Sequence, residues 1–348
     1  MPTSRAPIRS LFTGIAAIAV VILLHGCRND LVVIAPYQDV PVVYCILNPN
    51  ETTHYLRLEK SFLGEASALD MARETDSVYY RDGEVVLERW ANGSRKEVYQ
   101  LERRVVTARD SGIFIHDPNI LYVLEAQLVT NSEYRLQVTI PSTGASVSSS
   151  TQVVSQFPVI RPEAYKQTFA FSSYDNYQVV EWITAPYTRI YQLQVRFHYL
   201  EATGRDTVKK SLLWNIGHFH SVSGAGGEKL NTSILHRRFY QWLGTKLGPA
   251  PEGLVRLAAR EALDFVFTVG GEELYMFMEV NKPESGPPRE KPNYSNIEGG
   301  LGLFSSRFRQ VIGGKGLTNH SIDSLATGMY TRELGFANSR DDYYVRGF

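Results

Sequence analysis

At 348 residues, 43% hydrophobic and 11% aromatic, the chain carries enough apolar side chain for packed cores and excludes disorder over most of its length. Lysine plus arginine number 36 and aspartate plus glutamate 36, so neither a nucleic-acid binder nor a polybasic membrane patch is implied. Two cysteines exclude a disulfide framework: Cys27 ends an apolar leader, and Cys45 stands in Val42-Val43-Tyr44-Cys45-Ile46-Leu47, where it reads as a buried structural thiol.

The leader opens with Arg5 and Arg9 and no acid, and residues 11–24 are then nearly all apolar. That is shorter than the about 20 residues of a spanning helix and normal for a signal-peptide core. Leu23-Leu24-His25-Gly26-Cys27 resembles the lipobox of bacterial lipoproteins, with His25 where a small or aliphatic residue is usual. The resemblance implies cleavage after Gly26 and lipidation of Cys27. Two or three acyl chains anchor stably where a single one binds only marginally. Arg28, in place of an aspartate, points to the outer membrane. Residues 1–26 are thus read as signal peptide and 27–41 as lipidated cysteine and tether, with an uncleaved or ordinary secretory leader as the alternative.

Alternation of apolar and polar residues predicts strands over 42–47, 55–60, 84–90, 96–101, 121–126, 134–140 and 147–154. Asn48-Pro49-Asn50, Asp82-Gly83, Asn92-Gly93 and Pro141-Ser142-Thr143-Gly144 supply turns. Residues 62–80, rich in small and charged side chains, read as a loop or short helix. The pattern predicts an immunoglobulin-like β-sandwich over 42–157, held by its core alone. Two prolines, Pro158 and Pro162, break the rhythm and open a second β-rich domain over 158–348. Its strands lengthen: 168–172, 178–184, 190–200, 207–214 and 257–269. Ile234, Leu235, Phe239, Trp242 and Leu243 recur at helical spacing, predicting a helix near 232–243 with Asn231 or Thr232 as cap. Over 272–280 helix and strand patterns compete, and Gly271 followed by Glu272 and Glu273 favours the helix. A proline-rich loop over 283–293, a strand over 308–312 and a final helix near 321–333 complete the chain. The fold class expected is mainly β, with two or three helices in the second domain.

Four stretches follow the lipobox in order: Tyr44-Cys45-Ile46-Leu47-Asn48-Pro49; Glu59-Lys60-Ser61-Phe62-Leu63-Gly64; Ser132-Glu133-Tyr134-Arg135-Leu136-Gln137-Val138; and Asn296-Ile297-Glu298-Gly299-Gly300-Leu301-Gly302-Leu303-Phe304. Together they resemble the uncharacterised outer-membrane lipoproteins of Bacteroidota that share a domain of unknown function. The likeness spans nearly the whole mature chain and rests on turn and strand patterns rather than a catalytic signature. It implies an envelope lipoprotein, sometimes encoded beside TonB-dependent outer-membrane transporters, with no established activity to carry over. Ser77, Thr207 and Ser324 stand in Asp-Ser or Asp-Thr contexts that resemble the periplasmic O-glycosylation pattern of those bacteria.

For ligand chemistry the candidates are Trp214, His218 and His220, which share one face if the strand is unbroken. With His198 nearby they would suit a metal or a stacked sugar. Two histidines without a third placed ligand are not a zinc site, so no metal is expected and exposed loop histidines are the plainer reading. Gly299, Gly300 and Gly302 lack the strand before and helix after that a dinucleotide fingerprint needs, and read as a tight turn with close backbone packing. His116 and Asp117 point apart on an extended chain, and no nucleophile elbow, His-Glu-x-x-His helix or Walker lysine is present. Glu272 and Glu273 read as a helix start rather than an acid/base dyad. No cofactor is implied. The leading expectation is a non-enzymatic binding or assembly role, with loops 62–80, 214–227 and 283–293 as contact surface. Two alternatives stand beside it: a carbohydrate-active or peptide hydrolase with a site assembled from distant residues, and a structural surface protein.

Overall fold

In the computed structural model, which describes residues 39–61, 78–106, 119–204, 206–282 and 294–345, apolar alternation resolves into a mainly β, sandwich-rich fold with few helices. The lipobox, Ser77, His116-Asp117-Pro118 and the loop over 283–293 lie outside the described residues. The first half contributes β1 (Val40–Leu47), β2 (Thr53–Ser61), β3 (Glu84–Ala91), β4 (Ser94–Gln100), β5 (Glu102–Val105), β6 (Ile120–Glu125), β7 (Glu133–Ile140) and β8 (Ala145–Gln152). β4-β3-β7-β8 form one sheet, and β1, β2, β6 and β5 lie side by side in another. Alternate residues of the inner strands point into a shared core, where Val43, Cys45, Leu56 and Leu58 meet Val85, Leu87, Leu136 and Val138, while β4 and β5 at the edges stay largely exposed.

The second half adds β9 (Val159–Arg161), β10 (Thr168–Phe169), β11 (Tyr177–Ile183), β12 (Thr188–Thr203), β13 (Asp206–His220), β14 (Lys229–Leu235), β15 (Leu254–Gly271) and β16 (Leu301–Leu317). Three helices accompany them: α1 (His236–Lys246), α2 (Glu272–Val280) and α3 (Asn319–Thr327). The long strands join in the order β13-β12-β15-β16, while β14-β11-β9 form a small sheet whose Val180, Trp182 and Ile234 share a core with them and with α1. Phe265 and Phe267 are wholly buried there, each contributing about 1.5–3 kcal/mol of apolar burial. Phe239 of α1 stacks on Phe171 at 4.3 Å.

α2 spans the expected residues, and Gly271 with the two acids marks its start. α1 begins later than its periodicity predicts, because residues 231–235 pair with β11: Ile234 lies opposite Gln178 and Thr232 opposite Val180. A strand running straight into a helix carries one apolar pattern across two periods. α3 stops before Gly328, where a Cβ would lie 2.2 Å from the Tyr174 hydroxyl, so Tyr330 packs on Tyr174 from beyond the helix.

One nine-stranded sheet spans both halves because β16 is shared. Its first residues pair in parallel with β1, from Val42 opposite Leu301 to Leu47 opposite Ser306, and its later ones pair antiparallel with β15. The glycines before this join are there for backbone contact. Gly302 has φ +120°, and a Cβ on it would lie 1.9 Å from the Val43 carbonyl oxygen. A Cβ on Gly300 would lie 2.6 Å from the Pro41 carbonyl oxygen.

Gly302→Ala should therefore destabilise the protein by about 3 kcal/mol or more, from overpacking added to backbone strain. Gly144→Ala, with φ +69° but open space around it, should cost only about 1–2 kcal/mol. Urea unfolding of the two variants tests the difference, and equal losses would remove the backbone contact as the cause.

Candidate functional site

Three adjacent long strands lose register at the same level. Between β12 and β15 the pairing jumps from Phe197–Leu263 to Tyr199–Ala258, leaving His198 and residues 259–262 outside the ladder. Between β15 and β16 it jumps from Phe265–Ile312 to Leu263–Lys315, leaving Gly313 and Gly314 to face Asp264. Bulges re-aim side chains and are over-represented beside functional sites. Here they turn His198 and Asp264 toward each other, and His198 Nε2 donates to Asp264 Oδ2 at 2.8 Å. Asp264 Oδ1 accepts from the Gly314 amide at 3.3 Å, and a Cβ on Gly313 would come within 2.8 Å of the same oxygen. The glycines let the third strand approach the carboxylate.

Below the bulge, Lys315 is buried and its ammonium donates to the carbonyls of Glu163, Ala164 and Lys166. Burial pushes this amine below the usual lysine range. It fixes the end of β16 to the segment before β10. At the far end Glu201 pairs with Lys210 at 2.5 Å and with Arg256 at 3.0 Å, and these partners hold its carboxyl below the usual range. The Tyr344 hydroxyl accepts from the Ala258 amide at 2.7 Å, and burial pushes the phenol up to about 12.

His198, Asp264, Lys210 and Tyr344 are among the residues that line a groove of about 910 Å³. Leu200, Ala258, Leu317 and Ile322 give it an apolar floor; His198, Asp264, Lys209 and Arg260 supply polar walls. That volume and mixture suit a small organic ligand. With Nε2 held by the carboxylate, Nδ1 is the ring nitrogen left to meet a ligand.

Trp214, His218 and His220 do not come together. β13 carries an extra residue, Ile216, between the pairs Gln194–Asn215 and Leu193–Gly217, and the bulge resets the phase. Trp214 is buried and stacks on Trp242 at 5.5 Å, beside a smaller cavity of about 320 Å³. His218 and His220 are exposed, on the strand rather than in a loop, and His220 stacks on Tyr275 of α2 at 5.6 Å. His198 lies opposite Ser211, whereas His218 lies opposite Gln192, about 20 Å further along β12 at roughly 3.3 Å per residue. Among the described residues no His, Cys, Asp and Glu group assembles a metal site. Thr207 is exposed on β13; Ser324 is half-buried and donates to the His320 carbonyl.

Glu272 and Glu273 take separate partners. Glu272 lies 2.6 Å from Arg189, while Glu273 is mostly buried and accepts from Thr151 Oγ1 at 3.0 Å and Ser305 Oγ at 3.1 Å. That carboxylate ties α2 to β8 and β16. Burial raises its pKa against the opposing effect of those hydrogen bonds.

Sequence reasoning misses Asp264, whose signal is an acid inside the apolar alternation of Leu263, Phe265 and Phe267, with a glycine pair in a neighbouring strand. Compared with models of protein families and with curated proteins, the chain matches none. No helix among the described residues is long and apolar enough to cross a membrane, which says nothing of β-barrels.

The raised pKa of Glu273 makes a signed prediction. The folded state holds this proton more tightly than the unfolded chain, so stability is fully present below the ordinary value of about 4.3 and falls as pH rises through the raised one. Glu273→Gln keeps a hydrogen-bonding side chain without charge and should lose that fall. Denaturation curves at mildly acidic and mildly alkaline pH should show the variant gaining on the parent as pH rises; a constant difference would refute the assignment.

Proposed function

We propose that the chain is a lipid-anchored binding protein of the bacterial outer membrane, attached through Cys27, whose groove at His198 and Asp264 takes a small ligand in partnership with an outer-membrane transporter. The observation that carries the binding role is the groove, built where three strands bulge together and walled by an oriented imidazole–carboxylate pair. The lipobox supports the anchor, and the resemblance to Bacteroidota lipoproteins encoded beside TonB-dependent transporters supports the partner. A rigid β scaffold presenting bulged segments suits recognition.

Cys27→Ser should leave the protein unprocessed or released from the outer-membrane fraction; normal fractionation would overturn the anchor. Native lipoprotein purified in mild detergent should bring down a transporter in stoichiometric amount. If it purifies alone, the partnership is lost.

A second reading is a hydrolase. It has one specific observation in its favour: Ser211 on β13 lies directly opposite His198 on β12, which in turn bonds Asp264 on β15. Cross-strand partners of this kind have Cβ atoms about 4.5–5.5 Å apart. It ranks second because no hydrogen bond joins Ser211 to His198 in this structure. Labelling of the protein by a fluorophosphonate, abolished by Ser211→Ala, would reverse the ranking.

A further inference from the structure

α2 is a predominantly apolar helix, Leu274-Tyr275-Met276-Phe277-Met278 at its centre, yet none of its side chains is fully buried. It lies on the outer face of the large sheet, because Phe277 meets Tyr44 edge-on at 6.3 Å and Tyr44 points away from the core that holds Val43 and Cys45. Ile46 shares that outward phase on β1. Tyr55 has it on β2, where neighbouring Arg57 lies opposite Tyr44, and Leu301 has it on β16, opposite Val42. Tyr44, Ile46, Tyr55, Met276, Met278 and Leu301 are each between 37% and 48% exposed. Tyr44, Ile46, Tyr55 and Leu301 share one face of three adjacent strands, and α2, seated on Tyr44 through Phe277, adds Met276 and Met278 at its flanks, a concentration unlike the scattered single residues usual on a protein surface. Its flanking arginines are matched, Arg57 with Glu59 and Arg307 with Glu51, so the patch is close to neutral.

We infer that this face lies against a phospholipid bilayer, with Met276, Met278 and the tyrosines in the interfacial region. The inference rests on the lipid-anchor reading of Cys27. About a dozen residues separate that cysteine from β1, a reach of at most roughly 40 Å at ~3.3 Å per residue, and the strand that receives them carries Tyr44 and Ile46. The first strand after the anchor in sequence is thus one that carries this face, which favours it over the far side of either sandwich. Tyrosine suits the headgroup level, and flexible methionine and aliphatic side chains suit the acyl boundary. A neutral patch inserts by apolar burial, so attachment should not require anionic lipid.

The test uses the mature lipoprotein reconstituted into phosphatidylcholine vesicles, with an environment-sensitive dye on Met276→Cys or, as reference, on the strongly exposed Val222→Cys. Cys45 is buried and its thiol is pushed up to about 12, so it does not compete for the label. Brominated acyl chains should quench the dye at position 276 and leave that at 222 unchanged, at the depth of about 5–10 Å to which such faces insert. Adding Ile46→Glu and Met278→Glu should abolish the quenching while the protein still floats with the vesicles. Flotation without quenching at 276 would overturn the surface and leave the anchor standing. A chain that does not float at all would overturn both.

Discussion

The parallel pairing of β1 with β16 is the constraint on which the rest of this structure depends. It joins the first described strand to the last, and it is possible only because Gly300 and Gly302 let one backbone approach another more closely than any side chain allows. From that join β16 runs on without interruption, placing Phe304 in the first core and Phe308, Ile312 and Leu317 against the second. Two sandwiches become one body because a single strand has its side chains in both. Pairing of such sequence separation forms late or slowly, since the loop between the partners must close before any ladder bond rewards it.

The same strand also accounts for the groove. A long strand with neighbours on both sides twists, and bulges bend it and sharpen that twist locally. In β12, β15 and β16 the bulges fall at one level, where the ladder gives up several backbone pairings and a histidine, an aspartate and two glycines meet. Lys315 holds that irregular region to the segment before β10 with three donors and three carbonyls, so the ladder opens without the region becoming loose. Irregularity is thus confined to the groove and braced from below.

Local pattern made much of this legible in the sequence. Alternation in Leu56 and Leu58, in Leu136 and Val138, and in Leu263, Phe265 and Phe267 reports which face is buried, because a period of two is a property of single strands. Gly271 with Glu272 and Glu273 settled a helix against a competing strand pattern. Partnership was not legible: nothing local in Val42 announces Leu301, and nothing in His198 announces Asp264, since register is decided by both strands together. The shared phase of Trp214 and His218 is broken for a related reason: β13 carries one residue more than β12 at Ile216, which shifts every later side chain and shows only when the two strands are paired. α1 begins later than its spacing suggests because β14 ends in residues whose apolar spacing also satisfies a helical turn.

Cys45 gains a meaning from its position. It is a free, deeply buried thiol on β1, opposite Phe304 across the join that unites the two halves. With its pKa pushed up to about 12 it stays protonated and unreactive while the join is closed. The fold owes nothing to the redox state of its surroundings, so an oxidising compartment neither helps nor hinders this half of the chain. The thiol is instead a built-in gauge of the seam. Whatever parts β1 from β16, whether heat, denaturant or force on the tether, exposes a reactive sulfur at the place where the two sandwiches come apart.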